Sequence, residues 1–93
     1  MNTIHKFSLT VRAGFHEIEV PQNAKFLKCA DQGGVLVLWY EVDTNEPFQV
    51  LQFAAYKTGD EFLESIRYRC VYLDTVMFFD GRFVLHVYSV ELK

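Results

Sequence analysis

The side chains in this chain that could carry chemistry are three histidines, two cysteines and a loose set of basic and aromatic residues in the second half. His5, His16 and His86 fall on three separate stretches. None has a second histidine two positions away on its own strand face, the spacing that would build a metal or catalytic pair locally. His86 sits inside FVLHVYSV, and the expectation is an imidazole hydrogen-bonded within or at the edge of the core, with a ligand contact as the alternative. Ser8, Ser65 and Ser89 lie in no G-x-S-x-G context, and Gly33-Gly34 lacks the Gly-Lys pair of a phosphate loop. Cys29 and Cys70 form no C-x-x-C motif, so two reduced, buried thiols are expected and a four-ligand zinc site has no candidates. Acids at Asp43, Glu46, Asp60 and Asp80 fall at turns, as ordinary solvation requires. The residues predict no enzyme, no cofactor and no metal.

Two groups remain as candidates for binding. Lys57, Arg67, Arg69 and Arg82, interleaved with Tyr56, Tyr68 and Tyr72, are either the polar faces of strands or a site gripping a small anion, because guanidinium forks and aromatic planes suit a phosphate beside a nucleobase. Trp39 and Phe78-Phe79, near Val76 and Met77, are either core or an apolar patch for a protein partner. The candidate binding set is Lys57, Arg67, Tyr68, Arg69, Tyr72, Met77, Phe79 and Arg82.

The elements that must position these groups read as strands. TIHKFSLTV alternates, with Phe7, Leu9 and Val11 on one face; FHEIEV sets Ile18 and Val20 against Glu17 and Glu19 before Pro21 ends it. AKFLKCADQ alternates as well, turning Phe26 and Lys28 away from Lys25, Leu27 and Cys29. Gly33-Gly34 then supplies the positive φ of a tight hairpin. Its return, VLVLWYEV, is apolar on both faces and predicts a central strand covered on two sides. FQVLQFAAY follows, with Gln49 and Gln52 needing partners if buried. TGDEFLESI breaks the pattern: Thr58 and Glu61 have capping-box spacing and predict one helical turn or a structured loop. RYRCVYLDTVMFF resumes extended structure with a break near Asp74-Thr75, and Asp80-Gly81 marks a last hairpin. The prediction is an all-β single domain over residues 1–93, an antiparallel β-sandwich or flattened barrel of about 6–8 strands.

Composition narrows the classes further. Nine Phe, five Tyr and one Trp within 51% hydrophobic residues exclude disorder. A formal charge of −3 argues against broad nucleic-acid binding. No run approaches the roughly 20 apolar residues of a membrane helix, and MNTIHKFSLTVRAG lacks a signal-peptide core, so a cytoplasmic protein is expected.

Several short motifs, taken in order, resemble a family of short proteins of unknown function encoded by phages and prophages. They are TIHKF, EVP and AK in EVPQNAKFL, QGG, LW and VD in LWYEVD, Thr58-Gly59, and YLDTV with HVYSV. In relatives the Thr-Gly pair is often followed by His, where this chain has Asp60, and the segment from Asp60 to Val71 is longer and more charged; a site shared at that loop would be altered here. The resemblance implies a non-enzymatic binding protein that antagonises a bacterial host process, such as an antiviral CRISPR effector, by stoichiometric masking of a host protein. Its contact is expected on the Val71 to Arg82 hairpin with the Lys57 to Arg69 region. A nucleotide-sequestering protein and a phage accessory or structural protein are the alternatives, and self-association stays open.

Overall fold

A computed structural model describes residues 1–91. Seven strands fold in the order β1 (Asn2–Leu9), β2 (Gly14–Pro21), β3 (Lys25–Gln32), β4 (Val35–Asp43), β5 (Phe48–Tyr56), β6 (Cys70–Phe78) and β7 (Phe83–Val90), with one short helix, α1 (Glu64–Arg67), between β5 and β6. They form a three-stranded sheet, β1-β4-β3, and a four-stranded sheet, β2-β5-β7-β6. Every pairing is antiparallel. The two sheets stack as an open sandwich and do not close into a barrel, since β1 and β2 are not paired with each other.

Alternation builds the core as expected. Leu36, Leu38, Tyr40 and Val42 of β4 and Leu9 of β1 turn inward from one sheet, and Phe53, Ala55, Val76, Phe78, Leu85 and Val87 meet them from the other. Tyr40 stands between Phe7 and Phe26, with edge-on ring centroids 6.0 and 5.6 Å away. Strict alternation would have put Phe26 and Cys29 on opposite faces. The structure corrects this: the register with β4 slips between Phe26 and Lys28, leaving Leu27 unpaired, so both Phe26 and the buried Cys29 face the core.

β4 is central, but only one of its faces is covered by the other sheet. On the outer face Lys6 and Lys28 lie opposite Trp39 from the two neighbouring strands, and Lys6 Nζ donates to Gln32 Oε1 at 2.7 Å. The register places that strap across Val37, which is 2% exposed although it points away from the opposing sheet. The Lys6–Gln32 strap thus lies over part of the outer face where a second protein layer was expected.

Where the sheets meet at their β3 and β6 edges, a second slip between Tyr72 and Asp74 matches the expected break. Asp74 uses one carboxylate oxygen to accept the Thr75 amide at 2.9 Å and the other to reach the Cys29 amide at 3.4 Å. An edge N–H that would face solvent is thereby satisfied across the sandwich. Both glycine turns form as expected: Gly33 and Gly34 adopt φ of 62° and 85°, left-handed values that only glycine takes at little cost.

His16, on β2, is the one buried polar side chain of the described residues, at 6% exposure, with Nε2 donating to the Arg12 carbonyl at 3.0 Å. Burial is the main cause holding its pKa below the ordinary 6.5; the Arg12 carbonyl opposes this and the Arg12 charge adds to it. The neutral form is therefore favoured on folding, and the unfolded chain binds the extra proton as pH falls through 6.5 towards the folded pKa. Stability should be full above that window and decline through it on acidification. Urea midpoints at pH 7.5 and 5.5 should differ more for the natural protein than for His16→Gln, whose amide keeps a neutral donor; equal differences would exclude His16 as the source.

Candidate binding surface

β5 and β6 run parallel on either side of β7, so the chain between them must pass over one face of the four-stranded sheet. It takes the outer face. Leaving β5, the Lys57 amide donates to Asp60 Oδ2 at 2.8 Å, and Gly59 turns the chain at φ 95°. Phe62 then stacks on Tyr56 at 4.3 Å and stands edge-on to Tyr88 at 5.1 Å, while Tyr72 meets Tyr88 at 5.4 Å. These rings fasten the crossing to the sheet. The Tyr56 hydroxyl is buried by this packing, and burial is the main cause raising its pKa, with the Leu63 backbone opposing it.

The capping-box expectation at Thr58 fails. The helix begins only at Glu64, after Leu63, with no side-chain cap. Thr58 serves His86 instead. Its Oγ1 lies 2.8 Å from Nε2, and Nδ1 lies 3.0 Å from Thr75 Oγ1, which is 2.6 Å from the Tyr72 hydroxyl. Each hydroxyl can rotate to donate or accept, so the chain is satisfied in either imidazole tautomer and in the protonated form. His86 thus pins the crossing to β6 through hydrogen bonds at both ring nitrogens.

Of the cationic candidates, Arg67 lies over the Phe62 ring at 4.6 Å and Arg69 donates from Nε to the Glu91 carbonyl at 2.6 Å. Arg69 also exchanges backbone bonds with Ile66 and Glu91, tying the end of β7 to the start of β6. Lys57 is exposed on the turn, and Tyr68 is the most exposed aromatic, at 78%. Tyr72 belongs to the His86 chain. These five residues share the crossing and its landing on β6.

Met77, Phe79 and Arg82 lie apart from them, at the β6–β7 hairpin. The turn runs through three left-handed residues, Phe79 at φ 54°, Asp80 at 58° and Gly81 at 84°. The last two were signalled by Asp80-Gly81; a phenylalanine in this region is unusual. Its ring is 55% exposed and lies beside the other hairpin, where a side chain on Gly34 would come within 3.8 Å of it. Met77 is 65% exposed.

Sequence reasoning missed Phe15. It is 52% exposed on β2 and borders two adjoining cavities, of about 310 and 110 Å³, between that strand and the crossing. The signal was present: Phe15 shares its parity with the outward-facing Glu17 and Glu19.

Among the described residues, no group of three His, Cys, Asp or Glu side chains could hold a metal ion, and no helix is long and apolar enough to cross a membrane. The whole chain, residues 1–93, matches the domain of unknown function DUF7352, and it belongs to that family. No curated protein and no solved structure matches it.

Proposed function

We propose that this member of a family without assigned function is a non-enzymatic binding protein that works by occupying a protein partner, with the β6–β7 hairpin as its principal contact. The supporting observation is Phe79. A large apolar side chain is held half in solvent on a backbone conformation that costs an L-residue about 1–2 kcal/mol. Such strain persists where something other than stability retains it. Met77, 65% exposed two residues earlier, and Arg82 at the end of the same turn would supply the further apolar anchor and charged rim of a recognition patch. The narrower form of the proposal places the partner among bacterial host proteins, in the host cytoplasm, as part of an antiviral defence such as a CRISPR effector. That form rests on the resemblance to phage-encoded proteins alone.

Phe79→Asn separates binding from folding, because asparagine tolerates the left-handed region. The variant should keep or slightly raise the thermal midpoint, by up to about 1 kcal/mol of relieved strain. In affinity purification from bacterial lysate it should lose a stoichiometric protein that the natural chain retains. Equal capture by both, or no protein retained by the natural chain, would reject the proposal.

A further inference from the structure

We infer that the free edge of β1 pairs antiparallel with the same edge of a second copy of this chain, about a two-fold axis that sets Ile4 opposite Ile4 of the second copy. This stands apart from the hairpin reading, because β1 bounds the side of its sheet away from β3. An exposed strand edge is a row of unpaired N–H and C=O groups, and folds guard such rows. Three of the four edges here are guarded. β3 and β6 both carry a slip, and Asp74 reaches from β6 to the Cys29 amide of β3. On β2 the Arg12 guanidinium donates to the Phe15 carbonyl at 2.9 Å, and Pro21 closes the strand. Among the described residues β1 has neither device. Its register with β4 runs unbroken from Asn2 opposite Asp43 to Leu9 opposite Leu36. Its one lysine, Lys6, turns back across the sheet to Gln32 and leaves the edge bare.

The backbone fixes which residues would meet. The Thr44 amide donates to the Met1 carbonyl at 2.9 Å, so Met1 and the odd-numbered residues of β1 bond to β4, whereas Asn2, Ile4 and Lys6 turn their N–H and C=O outward. Outward residues must face outward residues. Centring on Lys6 would set two ammonium groups opposite each other, and centring on His5 would set Ile4 against a lysine. Centring on Ile4 lays isoleucine on isoleucine, puts Asn2 opposite Lys6 on either side, and forms about six new backbone hydrogen bonds. It joins the most open half of the strand: Ile4 is 60% exposed, and Asn2, His5 and Lys6 are exposed as well. Nearby charge does not oppose it. Asp43 is already paired with the Met1 amine. Glu41 flanks Ile4 on β4, and the two copies of Glu41 would stand three strand spacings apart, about 14 Å, beyond the screening length of about 8 Å. The seam over Asn2–Lys6 is short, below the roughly 1,200 Å² of a standard interface, so the dimer is weak and depends on concentration.

Sedimentation equilibrium of the natural chain should show its mass rising from one chain towards two, with half-association at roughly 100 µM. Ile4→Lys, at an exposed position, should keep the thermal midpoint of dilute protein and weaken association at least ~10-fold, because it replaces an apolar pair with two like charges. The register has its own readout, in a Cys70→Ala background. Ile4→Cys should oxidise to a disulfide-linked dimer, since the paired Cα atoms would lie about 5.5 Å apart. Ser8→Cys, about 27 Å from its equivalent in this register, should cross-link at least ~10-fold less. A chain that stays monomeric at millimolar concentration, association that Ile4→Lys leaves intact, or equal cross-linking of the two cysteine variants overturns the inference.

Discussion

Phe53→Ala should remove about 3–5 kcal/mol of folding free energy, the loss typical of a fully buried phenylalanine. Phe53 is 0% exposed and points inward from β5, opposite His16 on one neighbouring strand and Ser89 on the other. Neither neighbour supplies a large apolar side chain at that level, so truncation opens a space that nothing alongside can fill. Domains of this size hold about 5–15 kcal/mol in total. At about 4–8 °C per kcal/mol, the midpoint should fall by more than about 12 °C. Calorimetry of the variant decides the matter; a drop of only a few degrees would mean that the sandwich core is looser than its burial indicates.

The second large effect concerns the two thiols. Cys29 is 2% exposed, and burial, aided by the Asp74 carboxylate, pushes its pKa from 9.0 up to about 12. At pH 8 its thiolate fraction is about a thousandfold below that of an unperturbed thiol, and the thiolate is the species that reacts. Cys70 is only half-buried; burial raises its pKa also, but Arg67 and Arg69 pull the other way. Iodoacetamide on the folded protein should therefore alkylate Cys70 alone, at least about a hundredfold faster than Cys29, and both in urea. Mass spectrometry of the peptides reads the ratio directly. Comparable labelling of both in the folded state would show that the β3–β6 side of the sandwich opens readily.

Much of this architecture was legible because alternation and turn chemistry are local. Phe7 and Leu9, Ile18 and Val20, and the glycine pair at 33–34 each declare a face or a reversal within a few residues. The slip at Leu27 was not declared, whereas the one at Leu73 adjoins the break expected near Asp74-Thr75. An extra residue in one strand is defined only against its partner, and nothing in KFLKC names β4 as that partner. The site was legible in composition but not in geometry. Lys57, Arg67, Arg69 and Arg82 were read as either polar strand faces or an anion grip; Arg67 is spent on an aromatic ring and Arg69 Nε on a backbone carbonyl. Thr58 has the spacing of a cap, but His86, 28 residues away, offers it a better partner. The expectation of two buried thiols held for Cys29 and only halfway for Cys70, because Cys70 stands on the outer face of an edge strand.

The place of β7 between β5 and β6 sets a timetable for biosynthesis. β5 and β6 do not touch each other in the sheet, so the four-stranded layer has no continuous ladder until Phe83–Val90 has left the ribosome. The three-stranded layer can assemble earlier, once β4 is made, but with its inner face bare. A nascent chain halted before residue 83 would thus present Leu36, Leu38 and Phe53 to solvent together, which makes completion of translation the step that protects this polypeptide from aggregation.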